Sequence, residues 1–171
     1  MLLAVRRIGG GMEPYHLRRH DKAIESAEDC GGILASVRTI SLAMCSDNEP
    51  YLITLNHGWD SEQRCLYFHS APTGKKIDIL RENSRVWGMA VEDLGYLDGK
   101  CDHAYRSVMF GGTVNFVKNE AAKRHALEIM IRQHESDPEA VIAEQLTAAR
   151  VAGTTIGRID IDQMSGKESL P

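Results

Sequence analysis

Three runs in the first half of the chain alternate side chains with a period of two. In residues 39–45, Ile40, Leu42 and Met44 alternate with Thr39, Ser41 and Ala43. In residues 51–59, Tyr51, Ile53, Leu55, His57 and Trp59 alternate with Leu52, Thr54, Asn56 and Gly58. In residues 65–71, Leu66, Phe68 and Ser70 alternate with Tyr67, His69 and Ala71. That period predicts strands. The polar clusters between them, Ser46-Asp47-Asn48-Glu49-Pro50 and Asp60 to Gln63, are turn chemistry. Tight connections of this kind make an antiparallel meander.

After Pro72 the period changes, and Ile77 and Leu80 fall on one helical face. Residues 21–37 read as helical in part, with Gly31-Gly32 weakening the run by about 1 kcal/mol per glycine and marking a break. A strand is predicted over 85–93, a loop over 94–103, and the longest strand over 105–117, where Gly111-Gly112 signals a bulge or close packing. Residues 119–135 carry the stripe Ala122, Ala126, Ile129 and Met130 of a helix, and Asp137-Pro138 opens a shorter one through Ala149. Residues 153–164 alternate again as a closing strand. About six strands with helices at the ends and between hairpins predict a small barrel of the α+β or all-β kind. Residues 1–17, with Gly9-Gly10-Gly11, read as a flexible arm in which Met12 is an alternative start; 18–167 form one domain and 168–171 a tail.

Composition narrows the function. With 171 residues, 43% hydrophobic and 26% charged, the chain is one soluble globular domain in type. A net charge of −4 argues against a general nucleic-acid binder. The cysteines at 30, 45, 65 and 101 contain no CxxC pair, so free thiols in a reducing cytoplasm are expected. No apolar run has the length of a membrane span or the form of an export signal.

Against that mildly acidic background, Thr73-Gly74-Lys75-Lys76 stands out. Thr73 occupies an N-cap position, Gly74 permits close approach to the backbone, and two ammonium groups lie beside the outward amides of a helix start. This combination predicts an anion site, with phosphate the favoured anion and about 1.5–3 kcal/mol for each charge-assisted hydrogen bond. The competing reading is a plain surface helix with solvated lysines.

Several segments together resemble the FMN-binding split barrel of the pyridoxamine 5′-phosphate oxidase superfamily, in its nitroimidazole-reductase-like branch. They are Arg18 to Ile24 (RRHDKAI), Pro50 to Asn56 (PYLITLN), Leu66 to Lys76 (LYFHSAPTGKK), Tyr105 to Gly112 (YRSVMFGG) and Ile159 to Lys167 (IDIDQMSGK). The resemblance implies a mainly β fold with α, a six-stranded antiparallel Greek-key barrel with flanking helices. It implies FMN, with the phosphate at Lys75 and Lys76 aided by Ser107, and the ring along Ile53, Thr54, Leu55 and Asn56, lined by His69 and Ser70. It further implies a homodimer with FMN at the subunit interface, and a small-molecule electron donor and acceptor. The chain departs from true pyridoxamine 5′-phosphate oxidases at its end, IGRIDIDQMSGKESLP, which lacks their arginine–histidine motif. Oxidation of the vitamer is therefore the less favoured activity.

On this reading the flavin carries the chemistry and the protein orients it. His69 is the candidate proton donor, its ordinary pKa near 6.5 suiting the task; otherwise it is a strand histidine bonded to a neighbour or to the flavin. Arg106 and Ser107 are adjacent on a strand and face opposite ways, so Ser107 is preferred and Arg106 is secondary. Cys101-x-His103 lacks further ligands and reads as loop, and His57 with Trp59 as packing. The alternative class is a non-catalytic binder of flavin or haem, for which His69 or His103 would ligate iron.

Overall fold

The computed structural model describes residues 17–171. Their order is a 3-10 turn at His20–Lys22, β1 (Ala23–Ile24), α1 (Ala27–Ser36), β2 (Thr39–Ser46), β3 (Glu49–Asn56), β4 (Gly58–Asp60), β5 (Cys65–Ser70) and α2 (Lys75–Glu82). There follow β6 (Arg85–Leu97), β7 (Asp102–Val117), α3 (Glu120–His134), α4 (Pro138–Gln145), α5 (Ala148–Gly153) and β8 (Thr155–Ser169). Of the predicted arm only Leu17 is described, and it is buried; the rest of the arm lies outside the described residues.

Eight strands are present among the described residues, where six were expected, and all pairings are antiparallel. One extra strand arises at His57. The predicted run 51–59 divides there because β3 pairs with β2, whereas β4 pairs with β5. The strand order is β3-β2-β6-β7-β8-β5-β4, with β1 added to β8. β3 and β4 end the path on opposite sides, yet one residue joins them in the chain. The sheet therefore curls into a barrel whose last seam is closed by covalent bonds instead of a ladder.

The predicted loop at 94–103 is mostly strand, because β6 and β7 continue as a hairpin that carries a register shift between Asp93 and Gly95. β8 likewise runs past the predicted end at 164, since β7 is long enough to pair with it through Ser169. The bulge expected at Gly111-Gly112 is found, with the unpaired residue, Asp162, on the facing strand.

Inward residues of the strands build the core: Ile40, Leu42, Leu66, Phe68, Val108, Phe110 and Ile159 are all at most 1% exposed. Phe68 and Phe110 are each directly opposite a glycine, Gly157 and Gly88 respectively. A Cβ at Gly157 would lie 2.2 Å from the Phe68 ring, and one at Gly88 2.1 Å from Phe110. The rings fill the volume that a side chain on the partner strand would otherwise take. α1 packs on β4, β6, β7 and β8 and plugs one mouth with Ile33 and Leu34. Its expected break at Gly31-Gly32 does not occur; Gly31 instead lets the Trp59 indole sit against the helix. α3 covers β4 and β5 through Ala126 and Met130, and α4 and α5 form a further layer around Ile142, Leu146 and Val151. Among the described residues no helix is long and apolar enough to cross a membrane.

Candidate functional site

α1, α3, α4 and α5 each begin with a side-chain cap: Ser26, Asn119, Asp137 and Thr147 accept from the third amide of their helices. α2 does not. Its N-cap is Gly74, at φ +127°, and no side chain caps it. The capping role expected of Thr73 is thus overturned: this twist, which L residues rarely adopt, displaces Thr73 from the cap position. The Gly74 carbonyl accepts from the amides of Ile77 (2.8 Å) and Asp78 (3.1 Å), and the amides of Lys75 and Lys76 keep no acceptor among the described residues. A Cβ at Gly74 would meet nothing within 4 Å, so the approach to these amides is open.

The lysines flank that opening. The Lys75 ammonium lies 4.8 Å from the centre of the Tyr51 ring, and that of Lys76 5.7 Å from the Phe68 ring. Neither has a carboxylate partner among the described residues. Burial lowers the pKa of Lys76. Beside Lys75 is a cleft of about 310 Å³ whose lining includes Tyr51, Asp47 and Glu49.

Tyr51 connects this helix start to β3. That strand pairs with β2 alone, leaving the backbone groups of its other edge unpaired within the sheet. Ile53 and Leu55 face inward and are half-buried, whereas Thr54 and Asn56 are exposed. The Asn56 side-chain amide donates to the Arg38 carbonyl at 3.1 Å. On β5, alternation separates two candidates: half-buried Ser70 shares the inward face of Phe68, and exposed His69 shares the α3 face of Tyr67.

The Arg106–Ser107 pair sits in the middle of the β6–β7–β8 ladder. Arg106 lies between two carboxylates, 3.6 Å from Glu92 and 3.3 Å from Glu168, on the strands to either side. Ser107 faces the other way and donates to the Lys167 carbonyl at 3.3 Å. His103 is 2.7 Å from Asp93 across the β6–β7 hairpin. Among the described residues no three His, Cys, Asp or Glu side chains converge as a metal site.

The profile of the pyridoxamine 5′-phosphate oxidase family matches residues 26–168. The chain belongs to that family. This pyridoxamine 5′-phosphate oxidase family member is also similar to solved structures. One is provisionally assigned as a 5-nitroimidazole antibiotic resistance protein, from Bacteroides thetaiotaomicron, at 27% identity over 85% of each chain with a TM-score of 0.71. Another is an FAD-binding protein from Mesorhizobium loti, at 26% identity over 86% of this chain and 97% of that one, with a TM-score of 0.62. An FAD and haem binding protein from Mycobacterium smegmatis shares the fold at 20% identity, over 86% of this chain and 73% of that one, with a TM-score of 0.70. An uncharacterised protein of Rhizobium meliloti is 35% identical over 63 residues, which is 37% of this chain and 40% of that protein's length. The fold is accordingly the split β-barrel expected from the sequence, mainly antiparallel sheet with flanking helices.

Two clusters in this family member go beyond the sequence reading, which takes His57 as packing and Asp60 as part of a turn. His57 is fully buried, with Nε2 2.7 Å from the Leu34 carbonyl, to which it donates. Gln133 donates to the carbonyls of Leu34 and Val37, both at 3.1 Å, and His134 to that of His57 at 2.7 Å. His57 Nδ1 has no partner among the described residues, and burial pulls the pKa of the ring down to about 4. The second cluster is Asp60, buried and accepting from the Glu62 and Gln63 amides and from His125 Nε2 at 2.8 Å. Both fasten α3 to β4 and its flanks. Their members are far apart in the chain, so no local spacing announces them.

Proposed function

We propose that this chain is an FMN-binding flavoprotein, a homodimer that passes electrons from a reduced nicotinamide or another donor to a small acceptor. The observation that carries this reading is the uncapped start of α2, where two free amides and two unpaired lysines lie beside the open edge of β3. The donors fit a phosphate monoester at one end and the polar edge of a planar ring along the strand. Lys75 and Lys76 would hold the phosphate. Backbone groups near Thr54 and Leu55 would orient the ring, with Ile53 and Leu55 supporting it. The bound flavin would supply the redox chemistry. Ser70 would line the inward side of the site, and His69 is the candidate proton donor to a reduced acceptor.

The homodimer draws support from the outer face of the barrel. Leu52, Met89, Val91 and Met109 are 67, 41, 44 and 38% exposed. Register places them on one outward face, with Met89 opposite Met109. An apolar patch of this kind marks an interaction surface. Ser107, beside it, would then meet the flavin held by the partner subunit. Arg106, neutralised by two carboxylates, would stay with the barrel. Soluble, cytoplasmic operation, with neither nucleic acid nor membrane as partner, accords with the chain's charge and composition.

The test is the spectrum and chromatographic identity of the chromophore released by denaturing the purified protein. FMN at one per chain is the expected result. A Soret band would install haem, the second reading; of its two candidate ligands His103 is bonded to Asp93, whereas His69 has no partner among the described residues. A chain that carries neither and takes up no FMN on reconstitution would overturn the proposal.

A further inference from the structure

Beyond the C-terminal end of β3, the helical layer borders a cleft of about 540 Å³ whose lining includes none of the residues assigned to the phosphate. Its lining is apolar where Leu127, Met130 and Ile131 of α3 meet Val141 of α4 and Leu146 beyond it. A volume of this size is that of a small-molecule site. Four titratable groups line it: His69, His134, Glu135 and Arg150.

Arg150 differs from the other arginines of the helical layer. Arg124 pairs with Glu128 and donates to the Leu146 carbonyl, and Arg132 pairs with Glu139. The Arg150 guanidinium has no carboxylate partner among the described residues, although Glu135 lines the same cleft. A guanidinium carries its charge at any relevant pH and offers a planar fork matched to a carboxylate. His134 is oriented by its bond to the His57 carbonyl, and His69 at the cleft has no partner among the described residues. A guanidinium without a carboxylate partner among the described residues, over an apolar wall, favours an anion with a flat apolar body.

We infer that this cleft binds a small apolar carboxylate of about the size of an aromatic acid. Its body would lie on Leu127, Met130 and Leu146, and its carboxylate against Arg150. Asn56 and His69 belong to the lining, so the occupant abuts the strand to which the flavin is assigned. The inference does not depend on flavin, because none of the groups that grip the acid belongs to the phosphate site.

The experiment is calorimetric titration of the full chain with benzoate and with benzamide, which differ in charge but scarcely in shape. Benzoate is expected to bind at least about tenfold more tightly, the gain of a charge-assisted over a neutral hydrogen bond. Arg150→Gln should erase that preference and leave benzamide unchanged. Glu135→Gln should tighten benzoate by removing a repulsion, and Leu127→Trp should abolish both ligands by filling the cleft. Equal affinities in the unaltered chain, no heat from either ligand, or a preference that survives Arg150→Gln would overturn the inference. Arg150 is exposed and makes no ion pair among the described residues, so its variant is expected to fold with an unchanged Tm. Flavin content measured on the same samples tests the flavin proposal separately, and either result can fail without the other.

Discussion

At the scale of single residues, a fully buried imidazole has the clearest measurable consequence. His57 must remain neutral to stay buried with one nitrogen unpaired. Its pKa is about 4 in the fold and near 6.5 in the unfolded chain, so the unfolded state binds more protons between those values. Stability from this group is complete above pH 6.5 and falls as the pH drops towards 4, by about 3 kcal/mol in total. His134, the facing imidazole, lowers the His57 pKa further. Urea midpoints between pH 4 and 7.5 should show this slope, and His57→Gln should flatten it while lowering stability at neutral pH. The lysines make a second prediction at this scale. Each is expected to contribute about 1.5–3 kcal/mol to phosphate binding. Lys75→Ala with Lys76→Ala should therefore weaken FMN by a hundredfold or more in a fluorescence titration, with the Tm of the flavin-free chain unchanged.

Among the elements, the glycine–phenylalanine pairs show how closely the strands are fitted. Gly88→Ala or Gly157→Ala would drive a Cβ into a ring at the barrel centre, and a loss of about 2–3 kcal/mol is expected. Shrinking the ring, as in Phe110→Leu with Gly88→Ala, should recover part of it. Gly32→Ala is the contrasting control: nothing lies within 4 Å of the added carbon, and the helix should gain about 0.5–1 kcal/mol in thermal or urea unfolding. What the sequence reveals also differs from element to element. α3 is legible because Ala126 and Met130 lie on a stripe that one face buries. The α2 lysines are legible because they are next to Gly74 in the chain, at the start of the helix. The β3–β4 break is not, because the alternation runs unbroken through His57 and Gly58 to Trp59, and a change of pairing partner leaves the period intact. The hairpin tip is not, because Leu94 and Tyr96 are both exposed and lack a buried face to impose a period. The cleft beside Arg150 draws on β3, β5 and three helical segments, which only folding brings together.

At the scale of the whole molecule, the proposed dimer rests on the outer apolar face. Placing a charge in it by Met89→Asp should shift a dimer to monomer in sedimentation and, with flavin at the interface, lower flavin content in parallel. An unchanged sedimentation coefficient would remove this face from the assembly.

The barrel's closure at His57 has a consequence for motion. A cylinder whose staves are all laced together must break a ladder in order to breathe, whereas here the terminal staves are tied by one link and can part without any such rupture. Amide hydrogens along β3 and β4 should accordingly exchange with deuterium sooner than those in the middle of β7, which is laced on both sides by β6 and β8. The slit that opens most readily would be the one through which a planar guest comes and goes.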